Sequence, residues 1–181
     1  MLLKTDILPI VKYPKKILTE KSSPVDKITS EIKDLVHKMV YTMYSENGLG
    51  ISAVQVGELL NIIVISPIAI AKDENTPPLV LINPEVLDIS KEKEILNEGC
   101  LSFPNLFIKV KRSKSIIIKY LGLDSTEYML TANGLLGQVI QHELEHLSGK
   151  LFIENLSSFN KDYTTKKYLK NNKASYPNEY Q

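Results

Sequence analysis

The 181-residue sequence predicts an α+β fold: mostly antiparallel sheets packed around a central helix that carries His142 and His146, with an N-terminal helix and a polar, helical C-terminal tail. Three observations predict it. Runs at Asn61–Ser66, Leu106–Arg112, Ser115–Leu121 and Thr126–Thr131 alternate or are β-rich, as strands are. An apolar stripe at helical spacing, Ile32, Leu35, Val36, Met39, Val40 and Met43, precedes them. A second stripe, Leu135, Leu136, Val139, Ile140, Leu144 and Leu147, follows them. One catalytic domain is expected over 1–181, with a core at about 7–157 and a polar extension at 158–181.

The elements are predicted in order as follows. Pro9, Pro14 and Pro24 punctuate an extended arm from Leu8 to Pro24. The first helix runs from about Thr29 to Ser45 and stops at Asn47 and Gly48. His37 falls off its apolar stripe and reads as a surface residue. From Gly48 to Gly57, small residues between glycines allow close approach to a ligand or to another strand. Asn61–Ser66 is a strand, and Ser66 to Pro78, with charges and three prolines, is a surface loop. Leu79–Asn83 and Lys93–Leu96 are further strands. Leu106–Arg112, Ser115–Leu121 and Thr126–Thr131 read as an antiparallel meander. Thr131 or Asn133 can cap the second helix, and Gly149 ends it. Leu151–Leu156 closes the core. The chain then turns polar, with Lys161, Lys166, Lys167, Lys170 and Lys173.

Composition bounds the function. Hydrophobic residues make up 43% and charged residues 24%, as in ordinary globular chains. A net charge of +1 gives no bulk attraction to DNA or to a membrane. No apolar run approaches the ~20 residues that cross a bilayer. Lysines, an aspartate and two prolines interrupt 1–14, so no secretory signal or transit segment is expected there, and a bacterial cytoplasm is the expected location. The single cysteine, Cys100, cannot form an intramolecular disulfide, which fits a reducing compartment.

The chemistry concentrates at His142-Glu143-Leu144-Glu145-His146, which holds two of the three histidines. On a helix, residues four apart share a face, so both imidazoles can hold one metal ion with Glu143 beside it as a general base. Such a site needs a third protein ligand. Phe152 stands where one class of zinc peptidase has a third histidine. Glu154 is too close to be the later glutamate of a second class, and Glu179 lies in the polar tail. Upstream, Glu98-Gly99-Cys100-Leu101-Ser102 carries the only thiol. A thiolate is a strong ligand for divalent transition metals, and two imidazoles with one thiolate leave a fourth position open.

Three blocks, Gly48 to Gln55, Glu98 to Ser102 and Gln141 to His146, in this order and at this spacing resemble the three motifs of the peptide deformylase family. The resemblance runs from about Ile7 to Ser157. It implies a hydrolase that removes the formyl group from the N-terminal formyl-methionine of nascent bacterial or organellar polypeptides and releases formate. Cys100, His142 and His146 would hold one divalent ion, natively Fe2+ in many members, with Zn2+ or Ni2+ also found. Glu143 would take a proton from the metal-bound water and later pass it to the leaving amine. The Gln55 side chain and the Leu101 backbone N–H would hydrogen-bond the formyl oxygen as it becomes an oxyanion. Gly50 would present its backbone to the substrate peptide, and Leu49, Leu96, Leu135 and Val139 would line the methionine slot. Glu98 and Arg112 match positions expected to pair and brace the cysteine turn.

The sequence departs from the family pattern at a few points. Ile51-Ser52 stands where Leu-Ala is usual, and Glu145 where Asp is usual. Phe107 replaces an arginine that many bacterial members carry at the pocket rim, which bears on substrate preference. Two other functions compete with this one. A metallopeptidase cutting internal bonds lacks its third ligand. A non-catalytic relative could bind nascent chains or the ribosome through the lysine-bearing tail, but every residue with a chemical role is present.

Overall fold

The structure, a computed structural model, describes residues 7–70 and 76–172. An irregular arm with a 3-10 turn at Lys16–Thr19 leads into helix α1 (Ser30–Ser45). Strand β1 (Gly50–Ser52), a 3-10 turn at Ala53–Val56, strand β2 (Ile62–Ile65) and a short helix α2 (Pro67–Ile70) follow. Next come strands β3 (Leu79–Ile89), β4 (Lys93–Cys100), β5 (Phe103–Ser113), β6 (Ser115–Leu121) and β7 (Glu127–Asn133). Helix α3 (Gly134–Leu147), a 3-10 turn at Phe152–Asn155 and helix α4 (Ser158–Asn171) complete the chain. The fold is α+β, as the sequence predicted.

The strands form two antiparallel sheets: five strands in the order β1-β2-β3-β6-β7, and a two-stranded ribbon of β4 and β5. Successive side chains of a strand point to opposite faces. Ile63 and Ile65 of β2 therefore pack with Leu81, Ile116, Ile118 and Ala132 against Ile140 and Leu147 of α3. Ile62 and Val64 pack on the other face against Val36, Met39 and Met43 of α1. Both faces of β2 are covered, which is why its sequence is a continuous apolar run rather than an alternation. A third cluster lies against the ribbon, where Phe103 and Val110 meet Leu18 of the arm, Phe152 and Tyr168 of α4.

Three expectations are corrected. The predicted meander breaks after its first strand: β6 and β7 pair, but β5 belongs to the ribbon with β4, and β6 lies beside β3. Helix α3 intervenes at the junction. The Gln141 side chain accepts a bond from Ser113 N and donates one to Ser113 O, both at 2.9 Å, so the end of β5 is tied to the helix. Strand β3 extends to Ile89, well past the expected end at Asn83, because Pro84 is absorbed in a register shift between Ile82 and Glu85. There Asn83 takes φ 50° and clamps both backbone groups of Val25, each at 2.8 Å. The surface stretch after Ser66 begins with α2; the rest of that loop over 71–75, and Lys173 with the residues beyond it, lie outside the described residues.

Gly149 ends α3 with φ 73°, and a Cβ there would sit 2.6 Å from the Thr19 carbonyl oxygen of the arm that wraps this helix end. Both the left-handed backbone and the contact exclude a side chain. Gly149→Ala is expected to lower unfolding free energy by about 1–3 kcal/mol. A urea denaturation midpoint equal to that of the parent would contradict this account.

Candidate active site

The apolar stripe of α3 fixes the helix against the five-stranded sheet, and its opposite side faces the ribbon. That side carries His142, Glu143 and His146, all buried. The two imidazoles are 5.1 Å apart between ring centroids. Cys100, the last residue of β4, reaches across so that its Sγ lies 3.2 Å from His146 Nε2. One ligand atom from each of Cys100, His142 and His146 falls within 4.8 Å of the others. The structure thus joins two residues of one helix turn to a cysteine from a separate sheet.

His142 is oriented by a buried carboxylate. Its Nδ1 lies 3.1 Å from Glu98 Oε2. Burial alone would raise the Glu98 pKa, but hydrogen bonds and charge from Arg112 and His142 bring it down to about 2. An ionised carboxylate only accepts, so Nδ1–H donates, and the lone pair of Nε2 is left for the metal position. Arg112 holds Glu98 through two bonds, Nε to Oε1 at 2.7 Å and Nη2 to Oε2 at 2.8 Å. The same guanidinium bonds Glu145 at 2.6 and 3.0 Å, and Asn155 Nδ2 donates to both Glu145 oxygens at 3.2 Å. Glu145 thus keeps the partner-holding role of a carboxylate at its position.

The donor set fits a divalent transition metal. Burial works against a charged His142, yet hydrogen bonds with Cys100 and Glu98 and the charges of Cys100 and Glu143 push its pKa well above the usual value. That is the field of a site built to hold positive charge. Burial, with the charges of His142 and Arg112, pushes His146 well below its usual value, so its ring is neutral and could ligate a metal. Glu143 Oε2 is buried with no hydrogen-bond partner among the described residues, beside the three ligands. Two imidazoles and a thiolate suit Zn2+, Fe2+ or Ni2+ and leave coordination positions for substrate or water.

The remaining candidates divide. Gln55, in the 3-10 turn after β1, accepts from Ser52 N at 2.9 Å through Oε1. Its Nε2 is thereby turned towards Ser102 Oγ at 3.2 Å and Cys100 Sγ at 3.5 Å. Leu101 follows Cys100 in the turn between β4 and β5. A cleft of about 450 Å3 opens from the site, and Leu49, Gly50, Leu101, Leu135 and Val139 line it. Leu96 does not: it pairs with Val110 on β5, two residues along the strand from Glu98, and is not among the residues that line the cleft. A Cβ on Gly50 would meet Val139 Cγ1 at 2.6 Å and Glu143 Oε1 at 2.9 Å, so only glycine lets this edge approach the helix. Phe152 is buried with its ring 5.5 Å from that of His142, a packing contact, and His37 is exposed on α1. Neither supplies a peptidase-type third ligand.

Sequence reasoning missed Gln138 and Asn155. Gln138 lines the cleft and its Nε2 lies 3.3 Å from Glu98 Oε1. It precedes His142 by four residues, so its place on the same helix face was readable. Asn155 approaches only through the fold, and no local pattern marks it.

Comparison with known proteins agrees with this geometry. The family model described as Polypeptide deformylase matches residues 7–162. The peptide deformylase of Wolbachia pipientis wMel is 44% identical over 171 residues, covering 91% of this chain and 95% of that protein. The crystal structure of peptide deformylase from Ehrlichia chaffeensis superposes with a TM-score of 0.85 at 37% identity, covering 93% of this chain and 98% of that one. A second crystal structure from that organism, in complex with actinonin, gives 0.84 at 38% identity over 91% of this chain and 97% of the other. With a matched span that includes the cysteine turn and both histidines of α3, the chain belongs to the polypeptide deformylase family.

Proposed function

We propose that this deformylase hydrolyses the formamide of N-terminal formyl-methionine on nascent polypeptides, releasing formate, with 1–181 acting as one catalytic domain. The observation that carries this reading is the set of half-buried Cys100 with buried His142 and His146, beside the Glu143 carboxylate, whose Oε2 has no hydrogen-bond partner among the described residues, at a cleft lined by Cys100, His142 and Glu143. Cys100 Sγ and the Nε2 atoms of His142 and His146 would hold one divalent ion, Fe2+ natively or else Zn2+ or Ni2+. When bound, such an ion supplies Lewis acidity and lowers the pKa of water towards ~7.

The chain's own residues handle the protons and the developing charge. Burial pushes Glu143 up to about 7, against the pull of the His142 charge. A carboxyl so poised can accept the proton of the attacking water and deliver it to the amine nitrogen as the C–N bond breaks. Gln55 Nε2, already turned towards Cys100, and the Leu101 backbone N–H would donate to the formyl oxygen as it gains negative charge. Leu49, Leu135 and Val139 would receive the methionine side chain, and Gly50 the substrate backbone. The cleft volume falls in the ordinary range for small-ligand sites, and the Ehrlichia chaffeensis relative carries actinonin. The nascent chains acted on would be those of a bacterial cytoplasm; no described helix is long and apolar enough to cross a membrane. Helix α4, with Lys161, Lys166, Lys167 and Lys170, is the segment that would approach a ribosome.

Formate release from a formyl-Met peptide by anaerobic protein loaded with Fe2+ or Ni2+ tests the reading. Absence of formate with metal bound stoichiometrically would overturn it. Glu143→Ala is expected to keep the metal and lose turnover by about 10²–10⁴-fold; near-parental turnover would remove Glu143 as proton carrier. Cys100→Ser is expected to weaken metal affinity sharply in a competition titration against a chelator, and unchanged affinity would take Cys100 out of the ligand set. Arg112→Leu strands two carboxylates, one of them buried, and is expected to destabilise the fold by about 3–5 kcal/mol. Chemical denaturation measures that loss, and a change under ~1 kcal/mol would show that the pair braces nothing.

A further inference from the structure

The mouth of the cleft carries an aromatic ring that the reaction described above leaves without a role. Phe107 lines the cleft and is 67% exposed. It stands on β5 directly opposite Gly99 of β4. A Cβ on Gly99 would lie 2.7 Å from Phe107 Cε1 and 3.0 Å from Cδ1, so the ring occupies the space a side chain at 99 would need. One face of the ring is set against the Gly99 backbone and the rest is open to solvent. Phenylalanine has only two side-chain torsions, and the contact with Gly99 restrains them. A large apolar surface is thereby held ready at small entropic cost.

The position fits one part of the substrate. Gly99 is one residue from the ligand Cys100, whereas the proposed methionine slot is walled by Leu49 and Val139 beside Glu143. Side chains of an extended peptide alternate in direction every ~3.3–3.5 Å. With methionine directed into the slot, the next side chain points outwards, to the side where Phe107 stands. Phe107 lies on the outer face of the ribbon, on the same face as the exposed residues Ile95, Asn97, Lys109 and Lys111. Leu135, 38% exposed, is the other large apolar side chain exposed along the lining.

We propose that Phe107 is a specificity-determining residue of this enzyme, favouring substrates in which an aromatic or large aliphatic residue follows formyl-methionine. This inference rests on the deformylase reading above. Contact of one such side chain with the ring is worth about tenfold in kcat/KM over alanine.

The test is a formyl-Met-X-Ser peptide series with X as Phe, Leu, Ala, Asp and Lys, run on metal-loaded parent, Phe107→Ala and Phe107→Leu proteins. The parent is expected to favour Phe and Leu over Ala by about tenfold, mainly through KM. Phe107→Ala is expected to compress that ratio to about twofold or less, and Phe107→Leu to restore the aliphatic part of it. The same series as N-acetyl-Met-X-Ser peptides, titrated by NMR, reads affinity without turnover. Formate release that is indifferent to X, or a Phe107→Ala protein that keeps the parental ratio, overturns the inference while leaving the reaction intact. If no peptide yields formate, the reaction reading fails, and the titration still decides: an X-dependence lost in Phe107→Ala supports the role of the ring, and none overturns it.

Discussion

The structure depends on a guanidinium buried between two carboxylates. Arg112 leaves the ribbon and meets Glu98 of the neighbouring strand and Glu145 of α3. Stripping water from an arginine and its partners costs several kcal/mol per ion, and only complete hydrogen bonding offsets it. Here both carboxylates are met in fork geometry, and Asn155 and Gln138 occupy remaining acceptor positions. The arrangement fixes the ribbon relative to α3. Cys100 belongs to the first body and the histidines to the second, so the distance between the thiol and the imidazoles is set by this contact as much as by either element alone.

The same network selects which nitrogen of His142 carries its proton. A neutral Glu98 could donate and leave the ring in either tautomer. Ionised by Arg112, it can only accept. Electrostatics three bonds removed from the metal position therefore determines which nitrogen of the ligand can face a cation. Glu143, one residue along the same helix, has no guanidinium hydrogen-bonded to it among the described residues, and burial shifts it upwards against the charges of His142 and Arg112 and a hydrogen bond with Ser52. Two buried glutamates within one site thus take contrasting protonation behaviour from their surroundings, one fixed as an anion and one free to exchange a proton near neutrality.

Much of this was legible in the sequence. The spacing of His142, Glu143 and His146 and the apolar face behind them gave a buried helix with both histidines on one side, because helical geometry is local. Cys100 could be named as a ligand from its chemistry and from the resemblance, although its contact spans 46 residues of sequence. Strand pairing was the weaker part. Whether β5 pairs with β4 or β6 depends on what α3 does to Ser113, and no property of 103–121 alone encodes it. The strand expected to end at Asn83 runs on past Pro84, where a register shift coincides with the clamp of Asn83 on Val25, far away in the chain. Leu96 shares a ribbon face with Glu98 but sits further along β4, paired with Val110, so it falls short of the cleft.

The separation of the two sheets has a consequence for solubility. A five-stranded sheet that stops at β1 and a ribbon of only two strands leave unpaired backbone edges, and open edges recruit strands from other molecules. Here β1 is three residues long, and Gly50 of β1 and Gly99 of β4 both lie along the cleft. Helix α3 flanks the cleft with Leu135 and Val139, and Phe107 stands at its rim. The sheet edge nearest the cleft is thus short and flanked by α3, which limits the backbone it offers to a strand of another molecule.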